Sequence, residues 1–122
     1  AGEFLPTEPE AAAGAVDDKV FCTQAGSSPA TMPGGTEFLE RFKKRFNSDV
    51  LLYAPYAYDA ATALIEAMKI ADSTDPSKYL PALQKVNFQG VTGVIAFDDK
   101  GDIKEGGVSM NRFADGKWEP MN

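Results

Sequence analysis

The run YAPYAYDAATALIEAMKIA, residues 53–71, decides how this chain is read. A short extended piece before it breaks at Pro55, because the residue preceding a proline is pushed out of the helical region. Beyond the proline, apolar side chains recur at Ala57, Ala60, Ala61, Leu64, Met68 and Ala71, the spacing of a helical face. Small residues on that face are expected to let the helix approach a neighbour closely. Three tyrosines, Tyr53, Tyr56 and Tyr58, crowd the entry to the helix. A tyrosine offers a flat apolar face and a hydroxyl, so such a cluster can line a pocket for a small apolar zwitterion, or it can be half-buried packing. The residues by themselves leave both readings open.

Upstream, TEFLERFKKRF (36–46) places Phe38, Leu39, Phe42 and Phe46 at helical spacing, with Thr36 as the expected cap and Lys and Arg in the last turn, where they favour the helix dipole. Before it, KVFCTQA (19–25) is rich in strand formers and runs into GSSPATMPGG (26–35), which has the composition of a loop. Residues 1–16 show no apolar period and read as an irregular N-terminal segment: Ala1–Phe4 have the look of a cloning remnant, and Pro9–Ala15 could form a short helix ending at Gly14.

Downstream, STDPSKYLPALQKV (73–86) predicts a third helix, capped by Asp75, with Pro76 at its first position and Tyr79, Leu80, Leu83 and Val86 on one side. The last third is β in character. VTGVIAF (91–97) alternates in the manner of a strand, the turn DDKGD (98–102) leads toward GGVSMNRF (106–113), and a second turn, ADGKW (114–118), follows.

Composition narrows the function. With 122 residues, 43% hydrophobic, and with eight Phe, four Tyr and one Trp, the chain can hold one small core. Its net charge of −6 and scattered basic residues give no cationic stripe, so nucleic acid and anionic membrane surfaces are poor partners. No apolar run approaches the roughly 20 residues needed to span a bilayer. Cys22 is the only cysteine, so no internal disulfide forms, and its strand-like flanks predict a buried small hydrophobe. There is no histidine, and no serine lies in a nucleophile elbow, so no enzyme is expected. Zinc lacks Cys and His ligands, and Asp98, Asp99, Lys100, Gly101 and Asp102 lack the spacing of a calcium loop. A hairpin turn with Gly101 at positive φ, leading from VTGVIAF toward GGVSMNRF, explains that stretch better, and no metal or cofactor is implied.

At this point the residues acquire a family likeness. YAPYAYDA (53–60) and FQGVTGVIAFDDKGD (88–102), in this order and with the helices between them, resemble the C-terminal third of periplasmic leucine/isoleucine/valine-type binding proteins of ABC importers, over about Pro6 to Trp118. The resemblance implies an α/β fold: part of the type I periplasmic-binding-protein fold, with three helices, a β-hairpin and a hinge strand, in a segment spanning 17–122. It implies a protein whose two lobes close on an amino acid, whose chain crosses the hinge three times, and which works in the periplasm with an inner-membrane ABC permease as partner. Gln24 to Gly26 would lie near one hinge crossing and the stretch after Lys104 near another. Tyr53, Pro55 and Tyr56 fall where the family sets side chains against the ligand's aliphatic part, and Tyr58 and Asp59 would serve the helix entry by packing and capping.

The same resemblance carries a length problem. The family's first-lobe sheet and its groups for the ligand's ammonium and carboxylate lie in sequence absent here, so the isolated chain is expected to bind amino acids weakly or not at all. The faces of Phe38, Phe42 and Phe46 and of Ala61, Leu64 and Met68 would lack their strands. Self-association or a rearranged fold would then have to cover them. Two other functions fit the same residues: a ligand-sensing domain of a receptor or regulator with this fold, and a self-contained α/β interaction module without a small ligand.

Overall fold

The computed structural model describes residues 19–27, 31–51, 53–114 and 117–121. The expected helix at Pro9–Ala15 and the remnant at Ala1–Phe4 lie outside the described residues. Among these, residues 19–27 and 107–121 form one compact unit and residues 31–106 a second.

The first unit is a three-stranded antiparallel sheet in the order β1 (Phe21–Ala25), β4 (Val108–Ala114), β5 (Lys117–Met121). The register sets Cys22 opposite Asn111 and Gln24 opposite Ser109, so these four side chains share one face of the sheet. Phe113 stands opposite Trp118, their rings meeting edge-on at 5.4 Å, and Phe113 is fully buried. Past the end of β1, Gly26 adopts a positive φ of 79° and its N–H bonds to the Gly107 carbonyl at 2.7 Å. Cys22 is half-buried, less enclosed than its flanks suggest.

The second unit contains α1 (Gly35–Phe46), α2 (Ala54–Ala71), α3 (Pro76–Leu83) and a hairpin of β2 (Asn87–Gln89) with β3 (Val94–Ala96). Its core joins Ala63 and Ala67 of α2 to Val86 and Ile95, with Tyr79, Leu83, Phe88 and Phe97 packed around them.

Four sequence expectations need correction here. The face of α2 that packs is Pro55, Asp59, Ala63 and Ala67, whereas Ala57, Ala60, Ala61 and Leu64 are exposed. The helical period is as read, but alanine is frequent on both sides of α2 and does not distinguish them. Helix α1 begins at Gly35, with Gly34 as N-cap and no side-chain cap, so Thr36 lies inside the first turn instead of capping it. On α3, Leu80 faces outward at 62% exposure while Ala82 is buried. Finally, β3 pairs with β2 and not with GGVSMNRF, which joins β1 and β5 in the other unit. The DDKGD turn closes only a single bridge between Phe97 and Ile103. Gly101 has its expected positive φ, 90°, and the Asp98 carboxylate accepts from the Lys100 and Asp102 N–H groups, each at 2.9 Å. The expected cap of α3 is present, with Asp75 accepting from Ser77 N–H at 2.9 Å.

Candidate functional site

Helix α2 starts without a polar side-chain cap. Tyr53 occupies the N-cap position in a helical conformation, and the first turn is closed by backbone bonds from Ala54 to Leu51 at 3.0 Å and from Ala57 to Tyr53 at 2.9 Å. Pro55 sits in the first turn, where its missing N–H costs nothing. Its side chain is fully buried in the second unit. Tyr56 is half-buried and Tyr53 is 47% exposed. The three residues named from the sequence therefore share one helical turn but not one environment: the proline is enclosed, and the two tyrosines keep part of their surface exposed.

One turn further along lies a residue whose role the sequence reading missed. Asp59 is 3% exposed, inside α2 and not at its start, so it caps nothing. Its Oδ1 accepts from Val91 N–H at 2.9 Å. Its Oδ2 accepts from Thr92 N–H at 2.8 Å and from Thr92 Oγ1 at 2.7 Å. A buried carboxylate is costly unless charge-assisted hydrogen bonds offset its desolvation, and here both oxygens are used. Around it the GVTG turn, residues 90–93, is drawn tight: Gly90 N–H bonds to the Gly93 carbonyl at 2.8 Å, and Gly34 N–H, just ahead of α1, bonds to the Val91 carbonyl at 3.1 Å. A Cβ on Gly90 would lie 2.6 Å from Asp59 Oδ2, and one on Gly34 would lie 2.9 Å from Val91 Cα. Two glycines and one acid thus bring the starts of α1 and α2 and the β2–β3 turn together. The signal was legible in part, because an aspartate in an apolar helix and a turn with unpaired N–H groups each ask for a partner.

Two grooves flank this junction. One, of about 350 Å³, is bordered by Phe38, Arg41, Tyr58, Asp59, Thr62 and Gly90. The other, of about 710 Å³, is floored by Phe38, Phe42, Phe46 and Tyr58 and edged by Arg41 and Arg45. Its rings touch in series, Phe38 with Tyr58 at 5.4 Å, Phe38 with Phe42 at 5.9 Å and Phe42 with Phe46 at 4.7 Å, and the Arg45 guanidinium lies over Phe46 at 5.5 Å.

The first unit differs. Gln24 and Asn111 are buried, and among the described residues Gln24 Nε2 has no hydrogen-bond partner while Asn111 Nδ2 has only the Cys22 sulfur beside it. Burial pushes the Cys22 thiol above its ordinary range, and the Asn111 side chain beside it partly opposes that shift. Among the described residues, no group of three His, Cys, Asp or Glu is placed to hold a metal ion, and no helix is long and apolar enough to cross a membrane.

Comparison with known proteins gives this geometry its context. The chain is 34% identical over 98 residues to a Leu/Ile/Val-binding protein homolog of Brucella suis, a match covering 76% of this chain and 26% of that protein. It is 31% identical over 72 residues to a leucine-, isoleucine-, valine-, threonine- and alanine-binding protein of Pseudomonas aeruginosa, covering 59% of this chain and 19% of that protein. A leucine binding protein of Thermotoga maritima superposes with a TM-score of 0.71 at 25% identity, over 88% of this chain and 31% of that one. An ABC transporter substrate-binding protein of Desulfitobacterium hafniense, solved in complex with Leu, superposes with a TM-score of 0.70 at 25% identity, over 87% of this chain and 32% of its own length. The chain therefore carries part of the type I periplasmic-binding-protein fold and spans about a quarter of the length of the curated relatives it matches. With the profile of the Periplasmic binding protein family matching residues 4–115, the chain belongs to that family.

Proposed function

We propose that this chain is a portion of a two-lobed solute-binding protein that captures an amino acid of the branched-chain type and hands it to an ABC importer in the inner membrane. The observation that carries this reading is the pair of aromatic side chains at a helix entry anchored by buried Pro55, Tyr53 exposed and Tyr56 half-buried, in a chain similar to Leu/Ile/Val-binding proteins. In this reading Tyr53 and Tyr56 lie against the ligand's aliphatic side chain and Pro55 sets their turn. The protein acts in the periplasm. The chain passes between its two units at residues 27–28 and 106–107, which would serve as hinge crossings.

Energetics explain why the chain alone would be a poor binder. Burying one aliphatic side chain contributes roughly 1.5–3 kcal/mol, whereas even millimolar affinity needs about 4 kcal/mol. Polar groups for the ligand's ammonium and carboxylate must supply the rest, and Tyr53, Pro55 and Tyr56 offer no charge. The exposed Leu64, Ile65 and Ile70 on α2 give the chain apolar surface that self-association would cover.

The test is to exchange this chain for the matching segment of the Brucella suis homolog and titrate leucine calorimetrically into the two-lobed chimera. The expected result is leucine binding, weakened by Tyr53→Ala and by Tyr56→Ala, while the 122-residue chain alone gives no heat and runs as a dimer or larger by light scattering. A folded chimera that ignores leucine, or one indifferent to both tyrosines, refutes the reading.

A further inference from the structure

We propose that Asp59 and Thr92 are positioning residues for the ligand, locking the uncapped entry of α2 so that Tyr53 and Tyr56 are held ready; the inference rests on the ligand role given above to those tyrosines. Helix ends leave backbone N–H groups without intrahelical partners and fray unless a side chain or tertiary contact holds them. The start of α2 has no side-chain cap and no acidic residue in its first turn. Besides buried Pro55, what holds it lies one turn inward. The Asp59 carboxylate grips Val91 and Thr92 through three bonds of 2.7–2.9 Å, and Val91 in turn accepts from Gly34 ahead of α1.

The consequence for binding follows from populations. A ligand that needs an ordered entry sees its intrinsic affinity multiplied by the fraction of time the entry is ordered. Loosening the lock should weaken binding even where the protein as a whole stays folded. Asp59→Asn presents an amide N–H₂ to at least one of the N–H groups that the carboxylate accepts from. Thr92→Val removes only the hydroxyl bond, and Thr92→Ser keeps it.

The experiment has two readouts. Amide hydrogen exchange is followed on the 122-residue chain, with circular dichroism confirming that it remains helical. Asp59→Asn is expected to speed exchange by roughly tenfold at Val91, Thr92 and Ala57, the last being the N–H that closes the first turn, and to leave the far end of α2 unchanged. In the leucine-binding chimera, well below its melting transition, Asp59→Asn is expected to raise Kd by about tenfold, Thr92→Val by less, and Thr92→Ser not at all. Faster exchange confined to Val91 and Thr92, an even acceleration along all of α2, or a lower melting temperature with unchanged Kd would each overturn the inference. If Asp59→Asn does not fold, Thr92→Val against Thr92→Ser decides it alone. If the unmodified chimera fails to bind leucine, the functional reading falls, while the exchange at Ala57 still decides whether the entry is locked.

Discussion

The two units of this chain treat buried polar side chains in opposite ways. In the second unit, Asp59 is buried and both its oxygens are hydrogen-bonded. In the first, Gln24 and Asn111 are buried, and among the described residues Gln24 Nε2 is left without an acceptor and Asn111 Nδ2 meets only the Cys22 sulfur. A satisfied buried network specifies one arrangement of the elements it ties, whereas an orphaned donor costs its desolvation without return. The contrast points to Asp59 and the turn it grips as the more rigid junction, one helical turn beyond Tyr53 and Tyr56.

That comparison can be broken first at Gly90. Gly90→Ala puts a methyl 2.6 Å from Asp59 Oδ2, so the carboxylate must shift off Thr92. The expected cost is about 1–3 kcal/mol, read by urea unfolding. An Ala variant as stable as the parent would show that the junction has slack, and the claim of rigidity would fail. Smaller and opposite in sign, Gln24→Met keeps side-chain length and removes the orphaned amide, and it should stabilise the chain by about 1 kcal/mol in the same measurement. Destabilisation instead would mean that the Gln24 amide is satisfied in solution.

The smallest effect concerns Cys22. Because burial holds its thiol pKa above the ordinary value, alkylation by iodoacetamide near pH 8 should be slower than for an unstructured cysteine peptide, since only the thiolate reacts. The sign for stability follows. A raised folded-state pKa contributes stability below the unfolded pKa that is lost as pH climbs through the folded one. Asn111→Leu removes the group opposing the shift and should slow alkylation further; faster labelling would place the thiol in open solvent.

Much of the second unit was legible because its signals are local. The Asp75 cap, Pro76 behind it, the apolar period of α2 and the glycine turn at 98–102 all act within a few residues. The site was legible in outline only: Tyr53, Pro55 and Tyr56 stand out by residue type, yet nothing in their spacing reveals that Pro55 is fully buried while Tyr53 stays accessible. Asp59 was misassigned to the helix entry because an aspartate near a helix start suggests a cap, and its real partners are 32 and 33 residues away. The pairing of β3 failed in the same manner. Alternation marks a strand but not its neighbour, and β2, only three residues long, was too short to announce itself.

What the sequence by itself determined is therefore the set of elements and the family likeness carried by YAPYAYDA and the FQGVTG run: helical period, proline position and turn glycines are properties of neighbouring residues. Only the tertiary structure decided which face of α2 is buried, which strands pair, and that Asp59 closes on Val91 and Thr92. Those outcomes depend on contacts between residues far apart in the chain, where alanines on two faces or two equally apolar strands compete, and packing chooses between candidates that local chemistry leaves equal.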